Sequence, residues 1–129
     1  MVSVQEKRLL VVGGNDWESE TIVQIVKCLG YEGRSTWSAK DALAYLTADR
    51  FSLVIVDDHI LDMYVGEFID RALRLPNCPT IALMKTKKTR PIRYDRSRGK
   101  CRVFDKDRLD KLFEVLQTQM PEFNGSQIS

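Results

Sequence analysis

The sequence predicts an α/β fold: a doubly wound parallel sheet of five strands with helices on both faces. Three observations predict it. Short apolar runs rich in Val, Ile and Leu alternate with segments of helical periodicity along nearly the whole chain. Such alternation demands right-handed crossovers and a sheet covered on both sides. The runs are also continuous rather than alternating, as in Arg8-Leu-Leu-Val-Val-Gly13, which marks strands buried on both faces. Finally, their carboxyl ends carry turn or charged residues, namely Gly13-Gly14, Asp57-Asp58, Met84-Lys85 and Asp105-Lys106. In open α/β sheets that edge is where chemistry and ligands gather, so these four ends should converge on one pocket.

Each element has its own signal. The first strand closes on Gly13-Gly14, and Asn15 or Asp16 can cap the helix that follows, with Glu18 and Glu20 favouring the positive end of its dipole. Ile22, Val23, Ile25, Val26 and Leu29 keep helical spacing until Gly30 stops the helix. Tyr31 to Trp37 reads as a weaker second strand, and Ser38 to Asp41 opens a second helix carrying Ala42, Leu43, Tyr45 and Leu46. Phe51-Ser-Leu-Val-Ile-Val56 is the strongest strand. A loop leads to a helix from about Gly66 to Leu75, stopped before Pro76, because the residue before a proline is driven out of helical geometry. Pro79 to Met84 is the fourth strand and Cys101 to Phe104 the fifth. Leu109, Leu112, Phe113, Val115 and Leu116 mark a last amphipathic helix. One domain is expected over residues 1–120, with 121–129 a polar tail or the start of a linker.

Composition narrows the class of protein. With 43% hydrophobic and 29% charged residues, the chain is an ordinary globule. No apolar run reaches the roughly 18–20 residues needed to span a bilayer, and the stretch Leu9 to Val12 is too short for a signal-peptide core. The three cysteines, Cys28, Cys78 and Cys101, have neither metal-ligand spacing nor a CxxC motif. Reduced thiols and a cytoplasmic location are the expectation.

Net charge is +2, but its distribution is uneven. Between Lys85 and Arg102 lie nine basic residues and one acidic one, Asp95, while the remainder holds eleven basic and seventeen acidic residues. A stripe of net charge +8 crosses a body of net charge −6. Pro91, Gly99 and the near absence of apolar residues (only Ile92 and Tyr94) argue for an irregular loop or a short turn where a fourth helix would be expected. Such a segment should self-repel, gain nothing from the core, and await an anionic partner. Arg90, Arg93, Arg96 and Arg98 can grip phosphates or carboxylates, with Tyr94 available to stack.

Phe51-Ser-Leu-Val-Ile-Val-Asp57, followed by Leu61-Asp62-Met63 and a helix, resembles the third strand and phosphoacceptor loop of response-regulator receiver domains. The likeness covers nearly the whole chain. It implies a flavodoxin-like sheet in the order 2-1-3-4-5, Asp57 as phosphoacceptor, and Lys106 as the pocket lysine that bridges acceptor and phosphoryl group. It also implies a two-component (phosphorelay) role with a histidine kinase or another signalling protein as partner. The departures imply degeneracy. Gly13 and Gly14 stand where the family has two acidic residues that hold Mg²⁺, and Met84 where a Ser or Thr hydroxyl is usual. Val103 replaces a switch aromatic, and Asp107 a proline. Magnesium prefers several hard oxygen ligands in octahedral geometry, so a weak site is expected, with Asp57, Asp58 and Asp16 the remaining carboxylates. The alternative is a pseudo-receiver whose basic loop, Lys85 to Arg102, takes a phosphate-bearing ligand such as a cyclic dinucleotide or nucleic acid.

Other motifs carry less. Gly13-Gly14 fails the GxGxxG pattern at Trp17 and Glu18, so a tight turn accounts for it. A metal cluster of His59 with Asp57, Asp58 and Asp62 is disfavoured, because successive residues at a strand end point in different directions. Trp17 and Trp37 are read as packing residues. With one histidine and no nucleophile assigned beside it, the chain is not expected to be an enzyme.

Overall fold

The computed structural model describes residues 8–13, 17–86, 90–108 and 110–114. Its strands are β1 (Arg8–Val12), β2 (Glu32–Thr36), β3 (Leu53–Asp57), β4 (Thr80–Lys85) and β5 (Cys101–Asp105). They form one sheet in the order β2-β1-β3-β4-β5, with every pairing parallel. The helices α1 (Trp17–Cys28), α2 (Ala39–Ala48) and α3 (Val65–Leu73) follow the first three strands, and a helical segment occupies 110–114. The expected architecture is the observed one. The proposed cap at Asn15 or Asp16, residues Leu109, Val115 and Leu116 of the last helix, and the tail at 121–129 lie outside the described residues.

Strand alternation sorts the core into two layers. Leu10, Val12, Val54, Val56, Ile81 and Leu83 face α2 and α3, where Phe68 and Ile69 are fully enclosed. Leu9, Val11, Leu53, Ile55, Ala82 and Met84 face the opposite side, packed with Ile22, Val23 and Val26 of α1 and with Leu112. Because neighbouring strand residues serve opposite layers, every central strand must be apolar at each position, which explains the continuous runs in the sequence. Leu53 to Asp57 are all buried. The edge strand β2, with two partly buried and three exposed positions, reads correspondingly weakly.

Helix ends follow from local chemistry. Gly30 adopts φ +92°, the left-handed conformation that stops α1. Ser38 caps α2, its hydroxyl accepting from the Asp41 N–H at 3.1 Å. A second cap comes from far along the chain. The Asp62 carboxylate accepts from Ala39 N (2.8 Å), Lys40 N (3.2 Å) and the Ser38 hydroxyl (3.0 Å). These bonds, the Ala39 N–H first, hold the Asp62 carboxyl below its usual range.

The basic segment has no α-helix among its described residues, which lack regular structure over 90–95 and enter a 3₁₀ turn at Arg96–Arg98. One expectation about it fails, since the segment does draw on the core. Ile92 is 5% exposed and sits in the layer beneath α3. The Arg93 N–H donates to the Tyr64 hydroxyl (2.8 Å), the Asp95 N–H to the Asp70 carboxylate (2.7 Å), and the Lys100 ammonium to the Cys78 carbonyl (3.0 Å). Gly66 makes the crossing possible, because a Cβ there would lie 2.0 Å from the Arg93 carbonyl oxygen. Trp37 also departs from expectation. At 65% exposed it lies just beyond β2 and packs into neither layer.

Candidate functional site

Asp57 ends β3, the central strand, and is the buried acidic residue at the carboxyl edge of the sheet, 7% exposed. Burial pushes its carboxyl above the usual carboxylate range, while the Lys106 ammonium and the His59 N–H pull it back part of the way. Lys106 lies in the turn after β5, where its own N–H donates to the Lys85 carbonyl at 2.9 Å. Its Nζ stands 2.6 Å from Asp57 Oδ1 and 3.3 Å from Asp58 Oδ1. Burial works to depress the Lys106 pKa, but the two carboxylates outweigh it and hold the ammonium above its ordinary value. Asp57 and Lys106, forty-nine positions apart, are therefore brought into direct contact.

Asp58 is drawn into the same cluster. Its side chain is fully enclosed and accepts from Thr86 N (2.8 Å) and from the Thr86 hydroxyl (3.3 Å). His59 joins it, with Nδ1 3.1 Å from Asp58 Oδ1, 3.9 Å from Asp57 Oδ1 and 3.4 Å from Lys106 Nζ. The expectation that these neighbours diverge is wrong. β3 ends at Asp57 and the chain bends at Asp58, so the two-residue alternation of a strand no longer applies. Two participants were thus missed, His59 and Thr86. Met84 is enclosed in the core layer with Leu9 and Val11, and Thr86, two residues on, supplies the hydroxyl at this edge.

The donor set fits magnesium poorly. Asp57, Asp58 and His59 offer one ligand atom each within 4.8 Å of one another. Magnesium requires near-octahedral oxygen coordination, and imidazole is a poor substitute for oxygen. Both carboxylates already hold the Lys106 ammonium, and buried Gly13 contributes no side chain. The described residues do not by themselves make a magnesium site. Asp16 and Gly14 lie outside the described residues.

The predicted anion-binding residues form a separate surface. Arg90 and Arg93 are exposed. Tyr94 is not free to stack on both faces, because the Arg96 guanidinium covers its ring at 4.3 Å and donates to its hydroxyl at 2.8 Å. Arg96 also donates to the Ile92 carbonyl at 3.1 Å. Arg98 closes the 3₁₀ turn, with Gly99 at φ +68° following it.

By sequence the chain matches no family model and no curated protein. By structure it is similar to many receiver domains. The signal receiver domain of an HD-domain-containing protein from Pseudomonas fluorescens superposes with TM-score 0.78 at 18% identity, covering 93% of this chain and 98% of that one. Response regulator TrrA of Thermotoga maritima, solved with Mg²⁺ and BeF, gives TM-score 0.73 at 20% identity over 87% and 97% of the two chains. The receiver domain of a sensor histidine kinase from Pseudomonas aeruginosa, with magnesium in its active-site cleft, gives 0.72 at 13% identity over 88% and 96%. The chain has the fold of a response-regulator receiver domain. No described helix is long and apolar enough to cross a membrane.

Proposed function

We propose that the chain is a degenerate receiver module of two-component signal transduction, acting through contacts with a histidine kinase or another signalling protein in the cytoplasm rather than as an enzyme. The observation that carries this reading is the Lys106 ammonium 2.6 Å from the Asp57 carboxylate at the carboxyl edge of a receiver fold. An ammonium so placed can neutralise an incoming phosphoryl group as it reaches the acceptor. In the transfer, an Asp57 oxygen bonds to phosphorus as the bond from phosphorus to the donor's leaving oxygen or nitrogen breaks. The electron pair of that bond leaves with the donor. Magnesium dependence is expected to be weak, because the pocket's own cation already occupies the carboxylates. Incubation with acetyl phosphate, with and without Mg²⁺, followed by intact-mass analysis tests this reading. One added phosphoryl group, absent from Asp57→Asn, supports it; an unmodified wild-type chain restricts the module to phosphorylation-independent contacts.

A second reading is favoured by a separate observation: the basic segment binds a phosphate-bearing ligand, as a pseudo-receiver would. Among the described residues, the Arg90 and Arg93 guanidinium groups have no hydrogen-bond or carboxylate partner, and that of Arg96 bonds to neutral oxygens.

A further inference from the structure

The pinned basic segment has a definite shape, and its shape and chemistry select among anionic partners. Elsewhere, several cations of this protein are matched to carboxylates, as in Arg8 with Glu32 and Asp49, Arg71 with Glu67, and Arg108 with Asp110. Along the segment, the Arg90 and Arg93 side chains stand exposed without a partner among the described residues, while those of Arg96 and Lys100 donate there to neutral oxygens. The segment's one aliphatic side chain of any size, Ile92, is turned into the core. Among the described side chains of 90–100, the exposed cations are Arg90, Arg93, Arg96 and Lys100, with Pro91, Ser97, Gly99 and the single acid Asp95 between them in sequence.

Two classes of partner fit this surface poorly. A protein interface is organised around a buried apolar or aromatic anchor, and residues 90–100 expose none. A small nucleotide needs a concave pocket of roughly 300–1,000 Å³. The cavity beside the segment, lined by Leu73, Tyr94, Asp95, Arg96, Gly99 and Cys101, holds about 120 Å³. One face of Tyr94, which could have stacked on a base, is covered by Arg96. An extended polyanion requires neither pocket nor anchor, only cations held in a row.

We propose that the described stretch from Arg90 to Arg102 is a sequence-independent binding surface for the phosphodiester backbone of a nucleic acid strand. This deepens the second reading above and is independent of phosphoryl transfer to Asp57. Arg90 and Arg93 provide forked donors for phosphate oxygens. The bonds from Tyr64 and Asp70, the burial of Ile92 and the close approach over Gly66 hold the row in place, so little order has to be gained on binding.

Fluorescence anisotropy of the full chain with a labelled oligothymidylate, across salt concentrations, tests the proposal. Affinity should fall by roughly two orders of magnitude between about 50 and about 200 mM salt, as expected for some five phosphate contacts on a single strand. Arg90→Ala with Arg93→Ala should lower the slope of log affinity against log salt by about 1.4, or about 0.7 for each contact removed. Neither guanidinium bonds to another described residue, so this variant is expected to keep its circular dichroism and melting profile. Arg90→Lys with Arg93→Lys retains the charge and should restore most of the slope. Absence of binding at the lower salt, or binding unchanged in the alanine variant, overturns the proposal. So does polyglutamate competing as well as oligothymidylate at equal charge, which assigns the surface to an acidic protein. A cyclic dinucleotide binding as tightly as the oligonucleotide overturns it as well. If acetyl phosphate fails to modify Asp57 while the oligonucleotide binds, only the phosphoacceptor reading falls.

Discussion

Lys106→Met removes the one ammonium shared by two enclosed carboxylates while keeping most of the side chain's volume. Removing one partner from a buried ion pair costs about 3–5 kcal/mol, because the other charge is left without compensation. Several features moderate that figure here. The Lys106 side chain is 16% exposed, Asp57 keeps the His59 N–H, and Asp58 keeps both bonds from Thr86. A loss of roughly 2–3 kcal/mol near pH 8 follows. The pH dependence has a defined sign. In wild type, burial already raises the Asp57 pKa above 3.8, and Lys106 limits the rise. Without the ammonium, the folded-state value climbs further above the unfolded one. Between those two values the folded protein binds more protons than the unfolded chain, so stability of the variant declines as pH rises through the window. The cost should therefore be small near pH 4 and complete near pH 8. Wild type behaves differently at the alkaline end. The raised pKa of Lys106 means that its contribution is present below 10.5 and is lost as pH rises through the higher folded value. Urea denaturation of both proteins over this pH range provides the measurement. Combining Lys106→Met with Asp57→Asn should recover part of the loss, because the uncompensated charge is gone. A cost below about 0.5 kcal/mol at pH 8, within the range of ordinary surface substitutions, would show that solvent and neighbouring groups already satisfy Asp57 and Asp58.

Three further outcomes are expected. Asp62→Ala should lower stability by about 1–2 kcal/mol, the scale of a lost helix cap. Since the Asp62 pKa is depressed in the fold, that contribution is present above the unfolded value of 3.8 and fades as pH falls through the lower folded value. Thermal melts of the two proteins should therefore converge in acid. Ile92→Ala should cost about 2–4 kcal/mol by urea denaturation, as for a buried aliphatic truncation, whereas a freely hanging loop would lose almost nothing. Gly13→Asp combined with Gly14→Asp should tighten magnesium binding in calorimetric titration by restoring hard oxygen ligands; an unchanged isotherm would show that glycine at these positions is not what weakens the site.

The sheet was legible because its central strands serve two core layers at once, which forces unbroken runs such as Leu53 to Val56. The parallel sheet sends the ends of β3 and β5 to one edge, and the resemblance singles out Asp57 and Lys106 as the pair that meets there. His59 escapes strand alternation because it lies two residues past the end of β3. Thr86 was hidden by its lysine neighbours, which made it look like part of a charged run. Ile92 was noticed, but a single apolar residue has no period and so gives no sign of which way it faces. Trp37 misled for a related reason. Large aromatics are usually enclosed, yet at the end of an edge strand there was no second layer to receive the ring.

The long-range cap made by Asp62 has a mechanical consequence for the pocket. By fastening the loop after β3 to the start of α2 with three hydrogen bonds, it turns that side of the rim into a fixed jamb. On the other side, the rim is latched by the two bonds from Thr86 to Asp58, at the very point where the chain leaves β4 for the basic segment. The two sides of the rim are thus tied by different means, three bonds to the start of α2 on one side and two bonds from Thr86 on the other.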